Sequence, residues 1–121
     1  MYPAVPFVVD PARVAAFRAV FGEAREVVPP TFLTAAEFSV FPEIVTDPEL
    51  GLDFGRVVHG DEEYGWSRQP RVGETLTVRA RVAQIRQRGD LGFLTIETEI
   101  ADEGGEPVAV CRATMIERGG P

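Results

Sequence analysis

The 121-residue sequence has only one cysteine and one histidine, side chains that often bind transition metals, and it has no lysine and no asparagine. A single cysteine, Cys111, excludes an internal disulfide and a metal site built on cysteines. With His59 as the only imidazole, carboxylates would have to supply nearly every ligand, and no such spacing is present. We therefore expect neither a metal nor a bound cofactor.

The sequence also lacks a long hydrophobic run and a basic surface. No apolar stretch approaches the ~20 residues of a membrane span, and no charged-then-apolar leader opens the chain. We therefore expect a cytoplasmic protein that does not enter membranes. Nineteen acidic residues oppose twelve basic ones, all arginine, giving a net charge of −7. Since a negative field repels phosphate backbones, we expect no nucleic-acid partner.

The remaining composition is that of an ordinary globular protein, with 45% hydrophobic and 26% charged residues. A chain of this length has room for one compact core, so we expect a single domain over residues 1–121. Proline and glycine punctuate short elements, and no repeat or linker interrupts them.

The first elements are a short strand and a helix. Residues 5–9 are apolar and interrupted by proline, which predicts an edge strand or an extended arm. Asp10 and Pro11 are a typical N-cap and first helical residue, and Gly22 is a typical stop, so a helix is predicted over residues 12–21. The face of this helix turned to the core is expected to carry Val14, Phe17, Val20 and Phe21.

A second, more apolar helix is predicted over residues 31–41, closed by Pro42. Glu37 is its only charged residue, and a helix that is hydrophobic on nearly every side is normally buried against a sheet. From residue 56 the apolar period becomes two, which predicts an extended segment over 56–66 and then three long antiparallel strands in a meander. The fold class is therefore α+β: a hot-dog arrangement, with an antiparallel sheet wrapped around a central buried helix.

Two side-chain groups on these strands have simple structural interpretations. Arg79 and Arg81 are expected to lie opposite Glu97 and Glu99 on the solvent face of adjacent strands. Cys111 is expected to act as a small buried hydrophobe.

Four stretches carry a resemblance to a known family. They are residues 28–32 (VPPTF), 58–64 (VHGDEEY), 70–76 (PRVGETL) and 103–108 (EGGEPV). In this order and spacing they resemble the N-terminal, hot-dog domain of MaoC-like dehydratases, and especially the non-catalytic subunits of two-component (3R)-hydroxyacyl-thioester dehydratases. The resemblance covers nearly the whole chain.

The resemblance implies a chemistry as well as a fold. The family reversibly hydrates trans-2-enoyl thioesters of CoA or acyl carrier protein, and its catalytic domain carries an Asp-x-Asn-Pro-x-His pattern that leads into the buried helix. Aligning Pro30 with the proline of that pattern puts Val27 at the Asp position and Phe32 at the His position. Neither side chain can move a proton, so the chain resembles the non-catalytic subunit, which shapes the acyl-binding tunnel and supports its active partner.

The candidate substrate-binding residues are aromatic or lie in the motif of residues 58–64: they are Phe32, Phe38, His59, Gly60, Tyr64 and Trp66. Other interpretations stay open for them. The aromatic residues could instead form the core, and His59 could be a structural histidine bonded to a nearby backbone carbonyl. No residue of this chain is predicted to be catalytic in the dehydratase reaction.

Two further functions stay open. Glu37 could be the acid/base carboxylate of a homo-oligomeric hot-dog acyl-CoA thioesterase, although we expect its side chain to be plainly exposed. The chain could also be an acyl-binding or scaffolding protein without turnover. In each case we expect at least a dimer, with a catalytic hot-dog partner or a second copy, because the long last strand would otherwise leave an open sheet edge.

Overall fold

The structure is a computed structural model that describes residues 2–22, 28 and 32–119. Its helices are α1 (Pro11–Phe21), α2 (Leu33–Phe38) and α3 (Phe41–Val45), and a 3₁₀ turn spans Phe54–Arg56. Its strands are β1 (Val5–Val8), β2 (Val57–Trp66), β3 (Thr75–Arg88), β4 (Leu91–Ala101) and β5 (Pro107–Arg118). No helix among the described residues has both the length and the apolar character needed to cross a membrane. They also hold no group of three or more His, Cys, Asp or Glu that could bind a metal ion.

The five strands form one antiparallel sheet in the order β1-β3-β4-β5-β2. Strands β3, β4 and β5 form the predicted antiparallel meander. Buried residues alternate with more exposed ones along β3 and β4 as expected, from Leu76 and Val78 to Ile96 and Ile100. Gly89 and Gly105 have φ angles of +62° and +83° in the two connecting turns, where residues with a Cβ would be strained. The local pattern of apolar residues and turn glycines therefore specifies this half of the sheet.

The last strand does not lie at a sheet edge, so the reason given above for self-association was wrong. β5 pairs with β4 on one side and with β2 on the other, from Val57 opposite Glu117 to Trp66 opposite Ala109. The ten-residue β2 lies at this edge instead, and the four-residue β1 lies at the other edge, as predicted. This pairing joins segments far apart in the sequence, which no local pattern reports.

Helix α1 begins and ends as predicted. The side chain of Asp10 accepts a hydrogen bond from the Arg13 amide at 3.1 Å, and Gly22 ends the helix with a φ of +68°. Val14 is buried, but Val20 is 78% exposed, contrary to the prediction. At 3.6 residues per turn, Val20 lies about 120° around the helix from Val14 and so leaves the buried face. The side chain of Phe21 lies outside the described part of the chain.

The predicted single helix over residues 31–41 is instead two short helices. Pro42 does not close it but lies in the first turn of α3, where its missing N–H costs nothing. Its ring is incompatible with a helix that continues past the carbonyl of residue 38, which is where α2 ends. Phe38, the last residue of α2, is 51% exposed, so the helical segment is not buried on every side.

The core lies between the sheet and the helices. Phe32, the N-cap of α2, is 2% exposed, and its ring centroid lies 6.1 Å from Phe7 and 5.5 Å from Phe17. These contacts tie β1, α1 and the start of α2 together. On the outer face, the predicted register of Arg79 opposite Glu99 and of Arg81 opposite Glu97 is confirmed.

Candidate functional site

The inner face of β2 carries the polar side chains that approach α2. Strand alternation alone would put His59 and Glu62, three residues apart, on opposite faces of the sheet. A β-bulge between His59 and Asp61 adds the extra residue Gly60, and both side chains then lie on the same face. A Cβ at Gly60 would stand 2.7 Å from Cδ1 of Ile116, so the bulge fits best with glycine.

His59 and Glu62 form an acid–imidazole pair. Nε2 of His59 lies 2.9 Å from Oε2 of Glu62 and 3.0 Å from the backbone carbonyl of Asp61. Because both neighbours are acceptors, Nε2 carries the proton and donates to them. Nδ1 is then the ring nitrogen that can accept a proton, on an imidazole oriented by a carboxylate, which is the arrangement of a general base. The expected bond from His59 to a backbone carbonyl is therefore present, with a carboxylate beside it.

Glu37 is buried, at 1% exposure, contrary to the expectation that it would reach solvent. It lies one turn after the buried Leu33, on the face of α2 that the sheet covers. Among the described residues, neither carboxyl oxygen of Glu37 has a hydrogen-bond donor, and Oε1 of Glu62 has none. Burial, followed by the hydrogen bond and charge of Glu62, raises the pKa of Glu37 to about 9. A proton on Glu37 that is donated to Glu62 would satisfy one oxygen of each carboxyl group, and the hydroxyl of Tyr64, whose hydrogen bond lowers the pKa of Glu37, is the donor available to the other Glu37 oxygen.

Three neutral side chains adjoin this polar cluster: Thr34 on α2, Tyr64 on β2 and Cys111 on β5. The hydroxyls of Thr34 and Tyr64 hydrogen-bond to each other, and burial raises the pKa of Tyr64 to about 12. Cys111 lies opposite Tyr64 in the sheet and is fully buried. Burial, then the charges of Glu37 and Glu62, raise the pKa of the Cys111 thiol far above its ordinary value. The thiol therefore stays protonated, as expected of a small core hydrophobe.

An apolar pocket of about 440 Å³ lies next to the acid–imidazole pair, between β2, β5 and α3. Its wall is hydrocarbon except for Thr46 and His59. The rings of Phe38 and Phe41, 5.4 Å apart, form the side contributed by the helices. The lining residues are Phe38, Phe41, Pro42, Val45, Thr46, Val57, His59 and Met115. The pocket thus offers an apolar volume with an oriented imidazole in its wall.

Only some of the predicted substrate-binding residues meet at this pocket. Phe38 and His59 line it, whereas Phe32 lies in the core. Further along β2, Trp66 stacks on Tyr64 with a centroid distance of 5.7 Å. Of the two positions aligned with the catalytic Asp and His, Val27 lies outside the described residues, as do Pro29, Pro30 and Thr31. The other, Phe32, is a buried aromatic side chain.

The sequence prediction missed Glu62 and Met115 as parts of the site. Glu62 reaches the inner face only because of the bulge, and a glycine within a strand pattern was the available signal. Met115 was assigned to a strand, but its place in the pocket depends on the pairing of β2 with β5.

Comparison with known proteins identifies the family. Residues 4–111 match the model of the FAS1-like dehydratase domain region, and the chain belongs to this family. It is 36% identical over 97 residues to a UPF0336 protein of Streptomyces avermitilis, an alignment that covers 80% of this chain. The chain spans just under two thirds of that relative, 65% of its length.

Solved structures confirm the hot-dog fold. The C-terminally truncated HadBC (3R-hydroxyacyl-ACP dehydratase) complex of Mycobacterium tuberculosis superposes with a TM-score of 0.75 at 18% identity, covering 95% of this chain and 91% of that one. HtdX of the same organism gives a TM-score of 0.84 at 22% identity, covering 96% of this chain and 51% of HtdX. At these identities the similarity establishes the fold alone.

Proposed function

We propose that residues 1–121 form one hot-dog domain that serves as the non-catalytic, acyl-chain-binding subunit of a heteromeric (3R)-hydroxyacyl-CoA or -ACP dehydratase. In this reaction water adds across the double bond of a trans-2-enoyl thioester, with hydroxyl going to the β-carbon and hydrogen to the α-carbon. The observation that carries the proposal is Phe32, which is 2% exposed at the start of α2 and packed between two aromatic rings. A side chain at this position that can neither accept nor donate a proton leaves the chemistry to a partner.

The edge strand β2 supports the need for a partner. Its backbone has a neighbouring strand on one side only within the described sheet, and Val58 and Trp66 on it are each 40% exposed. An open edge with apolar side chains is a surface that another strand can cover. A second hot-dog domain joined there would make one continuous sheet and would cover the site on the inner face of β2. We expect this assembly to be cytoplasmic.

The proposal is tested by assaying hydration of crotonyl-CoA with three samples. These are this chain alone, a MaoC-like hot-dog protein that carries Asp-x-Asn-Pro-x-His alone, and the two copurified. We expect no turnover by this chain and higher, more stable activity of the complex than of the catalytic protein alone. Full activity of this chain alone would contradict a supporting role. A bound acyl ligand without any gain for the partner would favour a scaffold.

The His59–Glu62 pair favours a second candidate, in which this chain hydrates enoyl thioesters unaided. Nδ1 of His59 would take a proton from water as the hydroxyl adds to the β-carbon, and the imidazolium, stabilised by Glu62, would then return that proton to the α-carbon of the enolate. This candidate predicts activity of the isolated chain that His59→Asn or Glu62→Gln abolishes. The sample of this chain alone therefore separates the two candidates.

The thioesterase alternative depends on Glu37, and the geometry favours it less. A carboxyl group that is 1% exposed and has a pKa of about 9 is protonated near neutral pH, so it is a poor base or nucleophile there. The test is release of free thiol from acyl-CoA by the wild type and by Glu37→Ala. Release that depends on Glu37 would favour the thioesterase.

A further inference from the structure

A second, smaller cavity lies on the far side of Met115 from the apolar pocket. Its volume is about 140 Å³, and it lies between the loop that holds Leu50 and Leu52 and the end of the β3–β4 hairpin. The two cavities share two lining residues, Val57 and Met115. These side chains therefore form a wall between the apolar pocket and the smaller cavity, whose lining is mostly hydrocarbon but includes Gln87 and Glu117.

The strand register explains why Met115 occupies this place. Met115 pairs with His59 of β2 on one side and with Leu94 of β4 on the other, and Leu94 pairs with Ile85 of β3. Paired residues of antiparallel strands point to the same face, so these four side chains form a row across the sheet. The row is polar at His59 and hydrocarbon from Met115 to Ile85. An extended apolar group that entered beside His59 would meet Met115 first.

We propose that Met115, together with Val57, sets the length of the acyl chain that this subunit accepts. The inference depends on the proposed function, because it assigns the 440 Å³ pocket to the acyl chain of the thioester. Methionine is unbranched and adaptable, which suits a movable wall within an apolar channel. A cavity of ~150 Å³ holds benzene, or about 25 Å³ per carbon, so joining the smaller cavity would admit roughly five further carbons.

The test measures binding of saturated acyl-CoA probes of 4, 8, 12 and 16 carbons. These probes have neither the double bond nor the hydroxyl group on which the reaction acts, so they bind without turnover. Calorimetry is carried out on this chain and on its complex with the catalytic partner. We expect Met115→Ala to improve the affinity for the longest chain relative to the shortest by at least about tenfold, because each newly buried methylene adds hydrophobic free energy. Val57→Phe should act in the opposite direction and shorten the accepted chain.

Val108→Ala is the matched control, because Val108 is fully buried on the same strand but lines neither cavity. It reproduces the loss of core packing without joining the cavities, and thermal unfolding confirms that each variant is folded. An unchanged length preference in folded Met115→Ala or Val57→Phe overturns this inference alone. Absence of acyl-CoA binding by the wild type overturns it together with the proposed function. A shifted preference in a chain that gives its partner no activity leaves the inference standing and contradicts only the proposed function.

Discussion

Glu62 lies between an imidazole and a buried acid: its Oε2 accepts from Nε2 of His59 at 2.9 Å, and its other side faces the carboxyl of Glu37. A proton on Glu37 would give the second oxygen of Glu62, which otherwise has no donor among the described residues, its hydrogen-bond partner. The stability of the site is consequently tied to pH through Glu37.

Glu37→Gln should remove a pH dependence of stability. With a pKa of about 9 in the folded protein and an ordinary value of 4.5, Glu37 holds a proton in the folded state that the unfolded chain lacks between these values. Its contribution is complete below pH 4.5 and is lost as the pH rises towards 9, at up to ~1.4 kcal/mol per pH unit. Urea unfolding at pH 5, 7 and 8.5 should show a smaller decline for Glu37→Gln. Glu43→Gln, at an exposed position of α3, is the control, and an equal decline in all three proteins would contradict the assignment.

Glu97→Gln should destabilise the outer face of the sheet by about 1 kcal/mol. Oε1 of Glu97 accepts from Arg81 at 2.8 Å and Oε2 accepts from Arg112 at 3.0 Å, and the bond from Arg81 contributes most to the lowered pKa of Glu97. This stabilisation is present above the ordinary carboxyl pKa and is lost as the pH falls through the lowered one. The variant and the wild type should therefore converge in acid, and 1 M salt should weaken the difference. Glu99→Gln on the same strand is the control, since Glu99 is exposed; an equal effect there would argue against the special role of Glu97.

Gly60→Ala should cost roughly 1 kcal/mol of stability, because its Cβ would contact the flexible end of Ile116. Ile116→Val removes that end and should recover part of the loss in the double variant. Gly65→Ala on the same strand is the matched control, because its Cβ would meet the nearest atom at an ordinary 3.6 Å. Chemical denaturation of the wild type, Gly60→Ala, Ile116→Val and the double variant measures the coupling between residues 60 and 116, and additive effects would contradict the contact.

Cys111 should resist alkylation in the native protein. Its thiol is fully buried and its pKa is raised, so reaction requires opening of the sheet between β4 and β2. Labelling with iodoacetamide at pH 8 should be at least about a hundredfold slower in buffer than in 6 M guanidinium chloride. Fast labelling of the folded chain would show that this part of the sheet opens readily.

Those parts of the fold that depend on near neighbours in sequence could be predicted. Asp10, Pro11 and Gly22 bound a helix through backbone geometry within a few residues, and alternation from Leu76 to Ile100 defines the inner face of two strands. Spacing alone fails at Val20 and at Pro42. The exposure of Val20 depends on its exact angle around the helix axis, and the break between the two helices depends on the ring of Pro42.

The candidate site was less predictable, since it is assembled from distant segments. Phe38 and His59 were identified by residue type and motif, and they do line the pocket. Glu37 was expected to be exposed because it is charged, but the sheet buries it. The bulge at Gly60 places Glu62 on the inner face, where it interacts with Glu37. Register and bulges belong to tertiary structure, so a one-dimensional pattern could not place Met115 beside His59.

The position of β2 also bears on how the polypeptide behaves in the test tube. Within the described sheet, one flank of this ten-residue strand has no strand beside it, so an extended peptide from another molecule can pair there. We expect the protein produced alone to self-associate through this flank as its concentration rises. Coexpression with a strand that pairs there should reduce the self-association.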